Sequence, residues 1–429
     1  MSASANKMNF NATFSMAVGG MIGGGIFSTL GVVIGIAGPL AWLSFLAAGL
    51  IALASGYSYV KLTDHYGKGG GAFTFLREIG LNGFAGSLAW VLIIGYVLTN
   101  AVYAFTFGHY LGYVVDLGPW FTRAAAVAIM LVFIGLNLRS VSQSSGVEIV
   151  LVWFKLVVLT ALAAVGLWHW EPSMLSRGAP DAGIGVALFG AAAVFIAYEG
   201  FQLLAYDYDE IDQPKKTLPR AVISAIVVVI LVYIAIALGT PMLIGADGVI
   251  EHKEVALALA GKQAFGTAGL AIVTVAAAFS TGSAINSTLF ATARLTDDVT
   301  RGGELPQWLD HHNRFSIPDR AVIGLGTLGA VFAALGTLSG LVQAASLAFL
   351  GTFCIVCALA FHARTGYRLI TGFGALAGAG AALSLVVRLF QTEPISLVLF
   401  AILLVIAVFV RPWLLRSARI VGQKSPSED

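Results

Sequence analysis

Charge is scarce in this chain. Asp, Glu, Lys and Arg together make up 11% of its 429 residues, where a water-soluble domain carries about 25%. That shortage excludes an ordinary soluble enzyme. With 58% hydrophobic residues and a mean hydropathy of +0.88, the chain is an integral membrane protein. Cysteine is scarcer still. Cys354 and Cys357 are too few for a four-ligand structural metal site, and neither falls in an external loop where a disulfide to a partner subunit would form. Three apart on one apolar segment, they share a helix face as small core residues. Catalytic and nucleotide motifs are missing too. There is no HExxH and no GxxxxGK[ST], and "GKGGG" at 67–71 has no strand before it, as a phosphate loop requires. The seven histidines lie at segment ends or in loops, and "HH" at 311–312 reads as a solvated pair, not a metal site. Nothing calls for an enzyme, an ATP-driven pump or an organic cofactor. The net charge of +2 calls for no nucleic acid.

What is present is a series of long apolar runs. A spanning helix takes roughly 20 predominantly apolar residues. About twelve such segments fit, near 12–37, 39–60, 84–112, 121–138, 147–168, 183–206, 219–244, 266–295, 320–337, 340–363, 370–389 and 394–412. The first is too long for the hydrophobic region of a cleaved signal peptide. Lys and Arg are retained on the cytoplasmic side of a membrane. With Met1 inside, 18 of the 24 basic residues fall in cytoplasmic stretches, among them Lys61, Lys68, Arg220, Arg294 and Arg411. Five lie outside (Arg123, Arg177, Lys253, Lys262 and Arg388), and Lys155 lies within the bilayer. The split places both termini in the cytoplasm and makes the number of crossings even.

Glycine is abundant, at 50 residues, and it is concentrated where a spanning helix should least tolerate it. Segment 1 carries "GGMIGGGIF" at 19–27. Each glycine costs a helix about 1 kcal/mol relative to alanine, so this helix is expected to break. Segment 6 carries "FIAYEGFQ" at 195–202, where a glutamate and a glycine interrupt an apolar run. Interrupted segments at corresponding places in two halves point to an inverted repeat with a binding site between them. The halves here are segments 1–5 and 6–10, with segments 11 and 12 appended. The half-helix ending near Met21 turns carbonyls into the gap, and the half starting near Gly24 turns N–H groups into it. The first attracts cations and the second anions, which suits a zwitterionic α-amino acid. Free carbonyls around Ile196 to Tyr198 are expected to add to the cation side.

Two ionisable residues sit inside spans, where such groups are functional by default. Lys155 lies about eight residues beyond Glu148, hence roughly 12 Å into the bilayer at 1.5 Å per residue. A desolvated lysine gives up its proton readily, and Ser280, Thr281 and Ser283 in "AFSTGSAINST" offer hydroxyls to its amine. Glu199 stands in the break of segment 6. It is read as a contact for the substrate's amine or side chain, as a proton carrier, or as a protonated carboxyl capping freed backbone N–H groups.

"SMAVGGMIGGGIFSTLGVVIGIAGP" at 15–39 resembles the first helix of amino acid permeases of the amino acid–polyamine–organocation superfamily. "FIAYEGFQLLAYDYDEIDQPKKTLPRA" at 195–221 looks like their sixth helix and the loop after it, and "GGGAFTFLREIG" at 69–80 and "RLTDDVTRGGELPQWL" at 294–309 are similar to two further loops. The resemblance covers most of the chain. It implies an all-α membrane fold of 12 transmembrane helices, a 5+5 inverted repeat of the leucine-transporter type over about 12–170 and 183–363. Two extra helices would follow at about 370–412, then a cytoplasmic tail at 413–429. It implies substrate bound at the unwound parts of helices 1 and 6: along Met21, Gly23, Gly24, Gly25 and Ile26, and along Ile196, Ala197, Tyr198, Glu199 and Gly200. The carboxylate would meet the amides of Gly24 and Gly25, and the amine the carbonyls of Met21, Ile196 and Glu199. Lys155 matches a lysine that replaces sodium in proton-coupled relatives, with Gly19 and Ser283 beside it. The chain departs from the family where Gly24 replaces a common Ser or Thr, and where Glu199 replaces a neutral residue; the second raises the odds of a cationic substrate.

A channel needs a continuous polar pore or rings of charge, which two isolated charges do not supply. The sequence therefore predicts a secondary carrier of amino acids in the cell membrane, working by alternating access with the proton as coupling ion, against the alternative of an amino acid or polyamine exchanger. No obligatory protein partner is evident.

Overall fold

The computed structural model describes residues 7–67, 69–139, 145–405 and 407–408. Lys68, most of segment 12 beyond 405, the tail at 413–429 and the basic residues Arg411, Arg416, Arg419 and Lys424 therefore lie outside the described residues, or nearly all of it in the case of that segment's end.

Among the described residues the chain is all helix, with isolated bridges at Met8–Ile211 and His312–Pro318 in place of strands. Asn9 starts α1 (Phe10–Met21), its side chain accepting from the Ala12 N–H at 3.0 Å, the usual way to satisfy an orphan first-turn donor. Then come α2 (Gly25–Ala37), α3 (Ala41–Tyr66), the short α4 (Gly71–Glu78), α5 (Asn82–Val115), α6 (Pro119–Leu138) and α7 (Ser145–Trp168). Beyond a single turn, α8 (Ser173–Ser176), the second half opens with α9 (Ile184–Ala193), which gives way to 3-10 turns at Phe195–Tyr198, Phe201–Ala205 and Tyr208–Glu210. The rest is α10 (Pro214–Glu251), α11 (Ala256–Arg301), α12 (Asp319–Leu335), α13 (Leu338–Ala363), α14 (Arg368–Thr392) and α15 (Pro394–Val405). α10 and α11 are bent where Gly245 (φ 72°) and Gly266 (φ 65°) leave helical geometry. Among the described residues, eight helical stretches are long and apolar enough to cross a membrane, the first taking in α1 to α3.

α1, α2 and the 3-10 turns after α9 lie at the centre, wrapped by α3, α5, α7, α10, α11 and α13. α14 covers α13 on one side and leaves Leu369, Leu376 and Phe390 exposed on the other. Apolar side chains gain nothing by leaving lipid for protein, so close approach of small residues must hold such helices together. The two cysteines serve this end: Cys357 packs against Gly374 of α14, and the Cys354 thiol donates to the Ala375 carbonyl at 3.2 Å.

One of these approaches joins the two interrupted segments. Gly200 has φ 125°, a conformation that L side chains rarely adopt. A Cβ there would also stand 2.6 Å from Gly20 Cα and 2.8 Å from Met21 N, while a Cβ on Gly20 would stand 2.8 Å from Gly200 Cα. Backbone lies on backbone, so no side-chain rotation could relieve either clash. Gly200→Ala is accordingly expected to cost about 1–3 kcal/mol from backbone strain alone. The check is the melting temperature in detergent, which should fall by several degrees, whereas Gly35→Ala, with open space around it, should leave it unchanged.

Candidate functional site

Helix 1 is interrupted between α1 and α2 at residues 22–24, and helix 6 between the end of α9 and Gly200. Met21, Ile22 and Ile26 are fully buried, and Ile196, Ala197, Tyr198 and Glu199 are at most 1% exposed. Each buried polar group freed by the breaks needs a partner, and much of that need is met by side chains from neighbouring helices. The Tyr233 hydroxyl of α10 lies 2.8 Å from the Met21 carbonyl and 2.9 Å from the Ala197 carbonyl and shares its one proton between them, so one hydroxyl ties the two interruptions together. Ser280 of α11 donates to the Ile22 carbonyl at 2.6 Å. Ser346 of α13 bridges the end of α9, accepting from the Ile196 N–H at 3.0 Å and donating to the Ala193 carbonyl at 2.9 Å. The expectation of free carbonyls around Ile196 to Tyr198 is corrected at two of the three: Ile196 O accepts from the Glu199 N–H at 3.0 Å, and Ala197 O is held by Tyr233. Each carbonyl keeps a second lone pair.

At the start of α2, Gly24 is the N-cap and Gly25 the first helical residue. The first N–H groups of a helix have no intrahelical partner. The Tyr103 ring of α5 fills the space a side chain at Gly24 would need, and Tyr233 Oη stands where one at Gly25 would go. Gly23 lies against the Ala284 methyl of α11 in the same way.

Glu199 is held on both oxygens. Oε1 accepts from Gln202 Nε2 at 2.7 Å, and Oε2 lies 3.2 Å from the Tyr103 hydroxyl. Gln202 Oε1 accepts from the Gly200 N–H at 2.9 Å, and Nε2 also reaches Tyr96 Oη at 3.2 Å. The capping of the break expected of Glu199 is thus done for Gly200 by Gln202. The Gln202 orientation is fixed by that bond, so its amide must donate to Glu199. Any proton on the carboxyl must sit on Oε2, shared with Tyr103.

The second charged cluster is at α7. Lys155, 1% exposed, donates to the Gly19 carbonyl at 3.3 Å. Ser283 of α11 donates to Glu148 Oε2 at 2.5 Å, and the Glu148 carboxylate fills the space beside Gly19 Cα. Lys155 thus meets Gly19, whereas the Ser283 hydroxyl, expected to serve the lysine amine, turns to Glu148. Ser280 and Thr281 direct their hydroxyls elsewhere, Ser280 to Ile22 O and Thr281 to Ala277 O at 2.7 Å.

Away from the centre, two cavities open at opposite ends. One of about 400 Å³ is lined by His109, Arg123, Lys253, Glu254 and Glu393. The other, of about 440 Å³, is lined by Thr74, Arg77, Tyr206, Arg294 and Asp298. Near the second, Arg294 pairs with Asp207 at 3.4 Å, and residues 8 and 210–212 bridge the N-terminal segment to the chain leaving helix 6. The paired histidines are not simply solvated: His311 meets Asp319 at 2.7 Å and His312 meets Asp297 at 3.3 Å.

Sequence reasoning missed Tyr103, Tyr233, Gln202, Ser346 and Glu148. Each carries a faint local signal, a lone polar tip in an apolar run or, for Glu148, a spacing of seven from Lys155.

The sequence model of the family described as "Amino acid permease" matches residues 8–425. The chain is 30% identical to the inner membrane transport protein YbaT of Escherichia coli over 69% of this chain and 70% of the relative. It is 26% identical to the chloroplastic cationic amino acid transporter 6 of Arabidopsis thaliana over 80% and 62% of the two chains. To the methylthioribose transporter of Bacillus subtilis it is 29% identical, over 78% and 76%.

Tyr233→Phe keeps the ring and removes the hydroxyl that both breaks share. The loss of a hydrogen-bond donor to buried carbonyls costs about 1–3 kcal/mol. The variant is expected to melt at lower temperature and to transport at a fraction of the wild-type rate, and a variant with unchanged uptake would show that the clasp is dispensable.

Proposed function

Because the chain belongs to the amino acid permease family of membrane transporters, we propose that it is a secondary active carrier of amino acids coupled to protons. The observation that carries this reading is the crossing of two interrupted helices at Gly20 and Gly200, beside their breaks, with Lys155 on the Gly19 carbonyl. Unwound backbone at membrane depth survives where it is buried in protein or lines a cavity, and in a carrier the crossing of two such breaks is where substrate binds.

In this reading the fold has 12 spans, with inverted repeats over about 12–170 and 183–363, two added helices at about 370–412 and a tail at 413–429. Both termini face the cytoplasm, the membrane being that of the cell. The matched places of the two interruptions and the 18-to-5 division of basic residues support it. The substrate carboxylate meets the amides of Gly24 and Gly25 once the Tyr103 ring moves aside. The amine takes the open lone pairs of Met21, Ile196 and Glu199 carbonyls. Gly23, Ile26, Ala197, Tyr198 and Gly200 shape the walls. Lys155, held by the Gly19 carbonyl, carries the proton, with Ser283 acting on it through Glu148 and Ser280 engaged at Ile22.

A cationic amino acid is favoured by the acidic Glu199, although that carboxyl is held by Gln202 and Tyr103 and must exchange a partner to meet a substrate. The second reading, an exchanger without proton coupling, rests on Lys155 acting as a fixed cation on the Gly19 carbonyl. A polyamine is disfavoured because it would leave the α2 amides unpaired.

Sealed proteoliposomes with an internal pH dye test the proposal. Addition of L-alanine, L-leucine or L-arginine is expected to acidify the lumen, and uptake occurring only into preloaded vesicles would establish exchange. Lys155→Ala should bind substrate yet lose the pH dependence of transport, and a variant with the wild-type pH profile would remove Lys155 from the coupling. Glu199→Gln should weaken arginine more than leucine, and equal losses would assign Glu199 to structure.

A further inference from the structure

Lys155 is not the only ionisable side chain on its face of α7. Glu148 lies seven residues earlier, two turns toward the end of the helix that opens to water, so the two residues share a face. Helical side chains lean toward the helix N-terminus, which brings the lysine back toward the glutamate. They converge on one residue: Lys155 Nζ lies 3.3 Å from the Gly19 carbonyl, and Glu148 Oε1 occupies the space beside Gly19 Cα. Any side chain at 19 would push the carboxylate away, which gives this glycine a role outside the helix break.

The surroundings leave the pair to itself. α7 carries no other charged residue. Of the elements packed on it, α1 has none along Phe10–Met21, α10 has none between Arg220 and Asp247, and α11 has none between Lys262 and Arg294. Tyr233, the titratable group of that stretch of α10, is engaged with Met21 and Ala197. Ser283 donates to Glu148 Oε2 at 2.5 Å, which leaves Oε1 as the oxygen beside Gly19, the residue whose carbonyl Lys155 holds. Glu148 is half-buried whereas Lys155 is fully buried, so the order from the interior outward is lysine, glutamate, water.

We propose that Glu148 is the proton relay between Lys155 and the water at the N-terminal end of α7, an inference that rests on the proton-coupled reading above. The transfer breaks an N–H bond of the Lys155 ammonium and forms an O–H bond at Glu148 Oε1, leaving a neutral amine beside a neutral acid. The acid then loses that proton to water, which restores the carboxylate with Ser283 still on Oε2. No charge crosses the apolar interior unpaired, which is the costly alternative.

The test compares wild type, Glu148→Gln, Glu148→Asp, Lys155→Ala and the Glu148→Gln/Lys155→Ala double variant in pH-dye proteoliposomes given L-alanine, L-leucine or L-arginine singly. Binding of the same amino acids to purified protein is measured in parallel. Glu148→Gln is expected to bind as wild type does, to slow proton entry by about tenfold or more, the scale on which a positioned acid–base group acts, and to flatten the pH profile. Glu148→Asp should recover part of the rate, and the double variant should be no slower than Lys155→Ala alone. Proton entry at the wild-type rate in Glu148→Gln, with Lys155→Ala inactive, overturns the relay and leaves proton coupling standing. Loss of amino acid binding in Glu148→Gln together with slowed proton entry also overturns it, in favour of a structural role. Absence of acidification by wild type removes the coupled reading and the relay with it.

Discussion

The fold turns on one constraint: broken helix backbone cannot sit at membrane depth unless its polar groups are matched within the protein. Two breaks in one bundle double the difficulty, and here they also help to solve it. Gly20 and Gly200 let the interruptions touch backbone to backbone, close enough for a single hydroxyl, Tyr233, to serve carbonyls of both. The surrounding helices are arranged to deliver such groups. α10 brings Tyr233, α11 brings Ser280, and α13 brings Ser346. Each is a small donor on a mostly apolar helix, which keeps the hydrocarbon-facing surface intact.

The two charged clusters differ in kind. Glu199 is wired to its neighbours by bonds whose direction is forced, because the Gly200 N–H orients Gln202 and Gln202 in turn orients the carboxyl. Its remaining freedom is the position of one proton between Oε2 and Tyr103. That tyrosine also covers Gly24. A rearrangement at Gly24 and a change at Glu199 therefore move the same side chain, and in the proposed cycle this gives a direct route by which the carboxylate end of a substrate would be felt at the acidic residue. Lys155 and Glu148 have no such rigid wiring. They meet at a glycine, with one serine on the outer oxygen.

Much of this was legible in the residues. The apolar segments read from the sequence overlap α1–α3, α5–α7 and α9–α15, and miss only the short α4 and α8, because length and composition dictate such segments and little competes with them. The two breaks were legible for the same reason that they exist: three consecutive glycines at 23–25 and a glutamate–glycine pair at 199–200 are incompatible with an undisturbed apolar helix. The partners were not. Tyr233, Ser346 and Gln202 act across distances of 36 to 212 residues or through a local turn geometry, and nothing near them in the chain says which helix they will face. Glu148 was legible in position but not in reach. Taken as the edge of segment 5, it turns its carboxylate inward to Ser283.

The hydroxyl partners also bear on how a closed site can open. A carbonyl satisfied by a hydroxyl loses little when another donor replaces it, since both exchanges trade one hydrogen bond for another and the net worth of each is about 1 kcal/mol. A protonated amine is the stronger donor. In the proposed cycle, a substrate amine at Met21 would displace or share Tyr233 at small cost, and the freed hydroxyl would no longer tie helix 1 to helix 6. Because that one hydroxyl bridges both breaks, loosening it at one carbonyl weakens the clasp between the two segments that alternating access requires to move apart. Binding and release of the clasp thus become a single event at Tyr233, whereas separate hydroxyls at each carbonyl would have left the two breaks indifferent to one another.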